Sequence, residues 1–524
     1  MGIPSYYKKL IDTVPGLVSK GHQDVNWLFM DFNCLIYHCI DDVPVDSQQL
    51  DGHTWDGNKW DGHKWDGHKW ETQFIDCIIT YCLKVIKEVN PKTGVFIAID
   101  GVVPMAKMRQ QRLRRFKSVW LSKNDTSSTS GKWDKNAITP GTLFMAKLKS
   151  SLETMTSKHE NWILSSSDEP GEGEHKIMAE WRKGIYKGNY AVYGLDADLI
   201  VLSMLGHECC NLNSIWLFRE EVCNGKISRD SGDIFNWFSI NILKTWLSST
   251  LDKKREFILN YCFALSILGN DFLPSSLGLK MRDDGHSVLL DVIKSFTLKN
   301  ISLITPTLDI SMDGVIELFK VLSSNESFRI CKYISKKQMF ANNIETELHL
   351  GENNWPLSHI EESILMNRKQ LFTHWPDIYI TFFNGFDINK ICKEYLYGIQ
   401  WIWAYYTGRM DDVCFNWFYP HSLPPLWQWL TTYLSTNKLP SFPEQVLIRA
   451  IDIKPVEQLA LVLPLESWSL VPPSLERSIP RFAPQYFPTE FSFESIGKRY
   501  FWECEAMIPI PSIIDIKEIV RDYN

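Results

Sequence analysis

Tyr190-Ala191-Val192-Tyr193-Gly194-Leu195-Asp196-Ala197-Asp198 is the stretch on which the reading of the fold turns. Four apolar or aromatic residues in a row read as a strand buried on both faces. Two acids follow, one residue apart. The same design recurs upstream. Trp27-Leu28-Phe29-Met30-Asp31-Phe32-Asn33 is a buried strand running into Asp31, and Gly94-Val95-Phe96-Ile97-Ala98-Ile99-Asp100-Gly101 is another ending in Asp100. Between them, residues 74–88 place Ile75, Ile78, Ile79, Cys82, Leu83 and Ile86 on one helical face. Strands separated by helices predict an α/β fold with a parallel-rich central sheet. In open α/β sheets ligands bind beyond the carboxyl ends of the strands, which is where these acids stand.

More acids join them. Glu172 and Glu174 lie in Asp168-Glu169-Pro170-Gly171-Glu172-Gly173-Glu174-His175, and an extended Gly-rich segment would turn both to one side. Asp271 follows an apolar helix in Leu268-Gly269-Asn270-Asp271-Phe272-Leu273-Pro274. Carboxylates beside apolar strands are costly unless paired or metal-bound. Any one of these acids alone reads better as a cap or turn residue. As a set, Asp31, Asp100, Glu172, Glu174, Asp196, Asp198 and Asp271 would repel one another, and divalent cations resolve that. All-oxygen ligation suits Mg²⁺, with Mn²⁺ as a substitute. Two such ions about 4 Å apart activate water and stabilise the leaving oxygen of a phosphodiester.

Just after Asp100 comes Lys107-Met108-Arg109-Gln110-Gln111-Arg112-Leu113-Arg114-Arg115-Phe116-Lys117, with no acid from Gly101 to Lys123. As a helix it sets Lys107, Gln111, Arg114 and Arg115 on adjacent turns, a phosphate pocket close to the acids. A merely solvated helix face would interleave Glu. An aromatic-rich stretch, 395–406 and 414–421, supplies core rings and one or two candidates for base stacking.

The chain has 524 residues, 44% hydrophobic and 22% charged, which excludes disordered, collagen-like and fibrous classes. No apolar run reaches the roughly 18–20 residues of a membrane span. The N-terminus lacks the charged and apolar regions of a signal peptide. Twelve cysteines without a CxxC pair suit buried thiols in a reducing compartment. His207-Glu208-Cys209-Cys210 lacks a second half for structural zinc. These readings expect a protein of the cytoplasm or nucleus that uses no membrane. The net charge of −7 argues against a purely non-specific nucleic-acid binder. Residues 51–70 repeat DGHTW, DGNKW, DGHKW, DGHKW and read as a flexible insert, and residues 123–134 as a mobile loop. After about 230 the pattern turns helical, at 233–250, 255–268, 312–323, 387–406 and 426–435. A Pro-rich tail starts near 464. Two parts are expected, an α/β domain over 1–230 and a mainly helical region over 231–524.

Taken together these residues resemble the Xrn family of 5′→3′ exoribonucleases. The matching pieces are Met1-Gly2-Ile3-Pro4, Met30-Asp31-Phe32-Asn33, the run from Ala98 through Phe116, Ile138-Thr139-Pro140-Gly141-Thr142, the run from Pro170 to Met178, Tyr193 to Leu199, Gly269 to Pro274, and Gly398-Ile399-Gln400-Trp401. The resemblance implies a PIN and flap-endonuclease-like nuclease domain packed on a helical region. It implies Mg²⁺-dependent, processive release of 5′ mononucleotides from single-stranded RNA bearing a 5′ monophosphate. The seven acids match the family's metal ligands. Lys107, Gln111, Arg114 and Arg115 match its 5′-phosphate pocket. The family's base-stacking His falls on Tyr37, and its Trp-x-Trp falls on Phe415-Asn416-Trp417, where either ring fits. The length suits the shorter nuclear-type members or a compact form such as a large DNA virus encodes. A monomer is expected, with decapping or RNA-processing proteins as partners. The rivals are a structure-specific 5′ DNA flap nuclease, a catalytically inactive RNA-binding scaffold and a metal sensor built on the repeat.

Overall fold

The structure, a computed structural model, describes residues 3, 5–43, 67–124, 133–210, 212–223, 226–227, 234–249, 251–344, 348–366, 375–441, 449, 452–476 and 483–521. The repeat up to residue 66 and residues 125–132 of the expected loop lie outside the described residues.

Seven strands form the central sheet. They are β1 (Val18–Ser19), β2 (Trp27–Asp31), β3 (Gly94–Ala98), β4 (Trp162–Ser165), β5 (Tyr190–Tyr193), β6 (Ile215–Glu220) and β9 (Phe235–Ser239); β7 (Val222–Cys223) and β8 (Lys226–Ile227) make a separate hairpin. Their order is β1-β9-β6-β5-β2-β3-β4. β2 to β6 run parallel, β9 is antiparallel to β6, and β1 is antiparallel to β9. The expected α/β class with a mostly parallel sheet is therefore present. From β2 the chain moves outward to β3 and β4, then returns to fill the other side with β5 and β6. The junction of β2 and β5 is thus the point where strand order reverses, the usual ligand crevice of such sheets.

Alternating side chains divide the core between two layers. Phe29 of β2 packs with Phe96, Met108, Trp181 and Leu202. Leu28 and Met30 pack on the opposite side with Leu35, Ile78 and Leu148. The first layer draws on α4 (Met105–Asn124), α6 (Gly173–Arg182) and α7 (Asp198–Cys210), which follow α1 (Tyr6–Thr13) in the fold. The second draws on α2 (Asn33–Cys39), α3 (Gly67–Val89) and α5 (Leu143–Thr156).

Beyond the sheet the chain is mainly helical, with α8 (Ile240–Ser248), α9 (Lys254–Leu265), α10 (Gly285–Leu298), α11 (Met312–Ser323), α12 (Glu326–Ala341), α13 (Trp375–Tyr379), α14 (Ile388–Thr407), α15 (Trp427–Thr436) and α16 (Pro455–Val462). α14 starts where the Asp387 side chain accepts from Asn389 N and stops at Gly408, whose φ of 74° suits a residue without Cβ. Two expectations change. The first part of the 233–250 segment is strand β9 rather than helix, so the sheet runs past the boundary placed at 230. Asn236, Trp237, Phe238 and Ser239 are all buried, which erases the alternation that marks a strand. The Pro-rich tail is short 3-10 turns, a two-stranded pair Phe493–Glu494 with Glu505–Ala506, and a last helix Ile513–Arg521. It returns to pack on α4. Among the described residues no helix is long and apolar enough to cross a membrane.

Candidate active site

The acids arrive from five places at one end of the sheet. Asp31 closes β2, and Asp100 follows β3 by two residues. Asp196 and Asp198 flank the start of α7, and Asp198 is its first residue. Asp271 sits in the turn after the 3-10 segment Ser266–Leu268, where Gly269 has φ 91°. Glu172 and Glu174 depart from the extended pair expected of their spacing. Glu172 occupies the cap position of α6, and Glu174 lies in its first turn. Gly173 between them is held tightly. Its N–H donates to Asp100 Oδ1 at 2.7 Å, and an added Cβ would lie 2.6 Å from Asp31 Oδ1 and 2.9 Å from Ala98 O. Only glycine lets the start of α6 come this close to the strand ends.

Electrostatics bind the cluster together. Burial, then the charges of Asp100, Asp196 and Asp198, push the Asp31 carboxyl well above its usual range. Burial and the neighbouring Asp196 and Asp271 push Asp198 up to about 7. Burial, then Asp198 and Glu172, raise Glu174. One cation stands inside. Lys107 Nζ lies 2.6 Å from Glu172 Oε2 and 2.9 Å from Asp271 Oδ2. Burial opposes its charge, but Asp271 and Glu172 hold its pKa well above the ordinary lysine value. The Lys107 ammonium by itself leaves most of this carboxylate charge uncompensated. Asp198 is 2% exposed, and its Oδ1 is buried without a hydrogen-bond partner. Ligand atoms of Glu172, Glu174 and His175 all lie within 4.8 Å of one another. This oxygen-rich, charge-deficient arrangement fits a divalent cation.

The basic segment forms α4, as its spacing implies, but its side chains divide between tasks. Lys107 enters the acid cluster. Gln111 is buried, with its Oε1 accepting from Gln458 Nε2 at 3.4 Å. Arg114 is exposed and forms no ion pair among the described residues. Arg115 is buried with Nη1 unpartnered, and burial lowers its pKa to about 10 even with Tyr37 nearby. Arg109, Arg112 and Lys117 hold the C-terminal segment instead. Arg109 pairs with Glu505 at 3.1 Å, and Lys117 donates to the Phe501 and Cys504 carbonyls, each at 2.7 Å. Of the candidate stacking rings, Tyr37 is 41% exposed beside Arg115. Phe415 is 2% and Trp417 8% exposed, with Trp417 packed on Trp401 and donating to Glu394.

Residues 1–221 match the family described as "XRN 5'-3' exonuclease N-terminus". The first part of the chain is thus similar to the N-terminal region of Xrn 5'-3' exonucleases. The chain is 27% identical to 5'-3' exoribonuclease 1 of Homo sapiens across 99% of this chain and 34% of that protein. Similarity to 5'-3' exoribonuclease 1 of Schizosaccharomyces pombe is 24% across 97% of this chain and 47% of the relative. With 5'-3' exoribonuclease 2 of Kluyveromyces lactis it is 31% across 49% of this chain and 32% of the relative. The chain thus spans a third to a half of the length of these relatives. The likeness to this family agrees with the donor set above, which fits a divalent cation.

Several residues that shape this Xrn-type site gave no separate signal in the sequence. Asn33 donates to Asp100 Oδ2 at 2.9 Å and accepts from Asp100 N at 3.1 Å, so it ties the start of α2 to the acid after β3. Tyr405 donates to Glu172 Oε1 at 2.9 Å, and its ring stacks on His175 with centroids 3.6 Å apart. Tyr405 belongs to the aromatic stretch, where spacing alone does not separate a core ring from one whose hydroxyl reaches an acid. Lys176 donates to the carbonyls of Ile99 and Ser166, both at 2.7 Å, and fastens α6 beneath the cluster. His207, by contrast, is engaged by Lys244 and Asn241.

Proposed function

We propose that this chain is a 5′→3′ exoribonuclease that degrades single-stranded RNA with a 5′ monophosphate, processively and with Mg²⁺, to 5′ mononucleotides. The observation that carries the reading is the meeting of seven carboxylates with one end of α4, whose further turns present Arg114 and Arg115. The names of the relatives support RNA as the substrate and the direction of attack. Asp31, Asp100, Glu172, Glu174, Asp196, Asp198 and Asp271 would hold the metal. When bound, it supplies activation of water and neutralisation of charge on the phosphodiester.

The remaining work falls to the chain's own residues. Arg115, buried with an open N–H, and the free guanidinium of Arg114 suit a terminal phosphate dianion; Gln111 orients it. A 5′ hydroxyl forfeits these charge-assisted contacts, and a triphosphate adds bulk at a walled end. The exposed Tyr37 ring offers a stacking face, which every base can use, so binding tolerates any sequence. Lys107 holds Glu172 and Asp271 against their mutual repulsion.

The test uses 3′-labelled single-stranded RNA with a 5′ monophosphate or triphosphate, Mg²⁺ and the purified chain. The expected result is loss of the monophosphate RNA without long intermediates, abolished by Asp198→Ala. Arg115→Ala is expected to narrow the gap between the two ends. Equal cleavage of both ends, internal cuts, or a preference for flapped DNA overturns the reading.

A further inference from the structure

A chamber of about 600 Å³ adjoins the acid cluster and shares Asp271 with it. Such a volume lies inside the roughly 300–1,000 Å³ of small-ligand pockets. Its walls are α4, the segment after Leu268, and the C-terminal stretch around Lys498 and Trp502. The charges lining it do not balance. Each lining carboxylate is already paired: Asp271 with Lys107, Glu503 with Arg282, Glu505 with Arg109. The cations Arg114, Lys280 and Lys498 also line it, and among the described residues none of the three forms an ion pair. Lys280 is positioned by hydrogen bonds to Ser275 Oγ at 3.3 Å and Gly497 O at 2.9 Å. Burial first, then the charges of Lys498 and Arg282, lower its pKa to about 7, with Glu362 opposing the fall. Leu268, Met281, Leu423 and Ile496 make much of the rest apolar, and the Trp502 ring is 53% exposed. Cations without an ion pair among the described residues, an apolar wall and a half-exposed ring, which stacks with Tyr500 at 6.0 Å, together match a phosphate, a sugar and a base.

We propose that this chamber binds a 5′-nucleoside monophosphate, with Lys280 and Lys498 on the phosphate and Trp502 under the base. The inference rests on the exoribonuclease reading for the origin of the ligand, because hydrolysis at the neighbouring acids would release such a nucleotide at each step. Asp271 of the acid cluster lines the chamber as well. The chamber thus receives the product.

The test is equilibrium binding of AMP to the full chain in EDTA, with adenosine and inorganic phosphate as separate probes. AMP is expected to bind at least about 10-fold more tightly than either. Lys498→Glu and Lys280→Met are expected to weaken AMP by roughly 10-fold or more, and Trp502→Ala by roughly 5- to 100-fold. Asp198→Ala is expected to leave AMP affinity within about 2-fold. The proposal is overturned if AMP fails to bind at millimolar concentration, if phosphate binds as well as AMP, or if Asp198→Ala abolishes binding while Lys498→Glu does not. It is equally overturned if Lys498→Glu weakens single-stranded RNA but not AMP. The same proteins are assayed on 5′-monophosphate RNA. AMP binding without RNA cleavage defeats only the exoribonuclease reading, and cleavage without AMP binding defeats only the chamber.

Discussion

Asn33 shows how one amide side chain fixes a carboxylate of the cluster. Its amide engages both the carboxylate and the N–H of Asp100, and it stands two residues from Asp31. Groups that orient metal ligands are commonly worth 10- to 100-fold in metal affinity or activity. Asn33→Ala is therefore expected to raise the Mn²⁺ concentration for half-maximal RNA cleavage by roughly 10- to 100-fold, read from metal titrations at saturating RNA. At this scale the sequence was readable for the acids, because each ends an apolar strand or opens a helix. It marked Lys107 and Gln111 as candidates, but what Lys107, Tyr405 and Gln111 bind within the fold was not readable. Their partners lie far along the chain, Asp271 for Lys107, Glu172 for Tyr405 and Gln458 for Gln111, and no local period encodes such pairings.

Elements meet through buried polar groups as well as apolar faces. Glu326 opens α12 and accepts from Trp427 N at 3.0 Å at the start of α15. Burial raises its pKa to about 8, and the two backbone N–H groups only partly offset that. A carboxyl raised in the folded state gives full stability below its unfolded pKa of about 4.3, and loses it as pH rises through the folded value. Stability from this group therefore falls between about pH 4.3 and 8, by up to about 1.4 kcal/mol per pH unit. Glu326→Gln is expected to flatten that fall, so that urea midpoints of variant and parent converge toward low pH and separate by pH 8. On α4, Arg112 donates to Pro509 O at 3.1 Å, Leu461 O at 2.6 Å and Tyr486 O. It is wholly buried, and no carboxylate pairs with it among the described residues. Arg112→Met strands those carbonyls and is expected to cost about 2–4 kcal/mol. Limited proteolysis checks this, through faster cutting within 483–521. The helix itself was plain from the sequence, but the role of this arginine was not: a basic run looks the same whether it faces phosphate or main-chain oxygen.

For the whole molecule, the gathered carboxylates make stability depend on divalent cation. A ligand that binds only the folded state adds about 2.7 kcal/mol at one hundred times its Kd. Mg²⁺ or Mn²⁺ is expected to raise Tm in calorimetry, EDTA to reverse it, and Asp198→Ala to remove most of the rise. The helical character of the chain beyond β9 was legible from the change of period, but the extent of the sheet past 230 was not, nor was the closure of the tail over α4, since turns and short 3-10 segments carry no period. That closure also sets the timing of folding. Arg112 and its acceptor Pro509 are separated by 397 positions. At roughly 5–20 residues added per second, a nascent chain would hold this guanidinium without its final acceptor for about 20–80 s. Such long-range closure raises contact order and slows the last folding step. The helix that carries Lys107 and Arg114 thus stays uncovered on the ribosome until translation has passed residue 509, and the site matures only after that point.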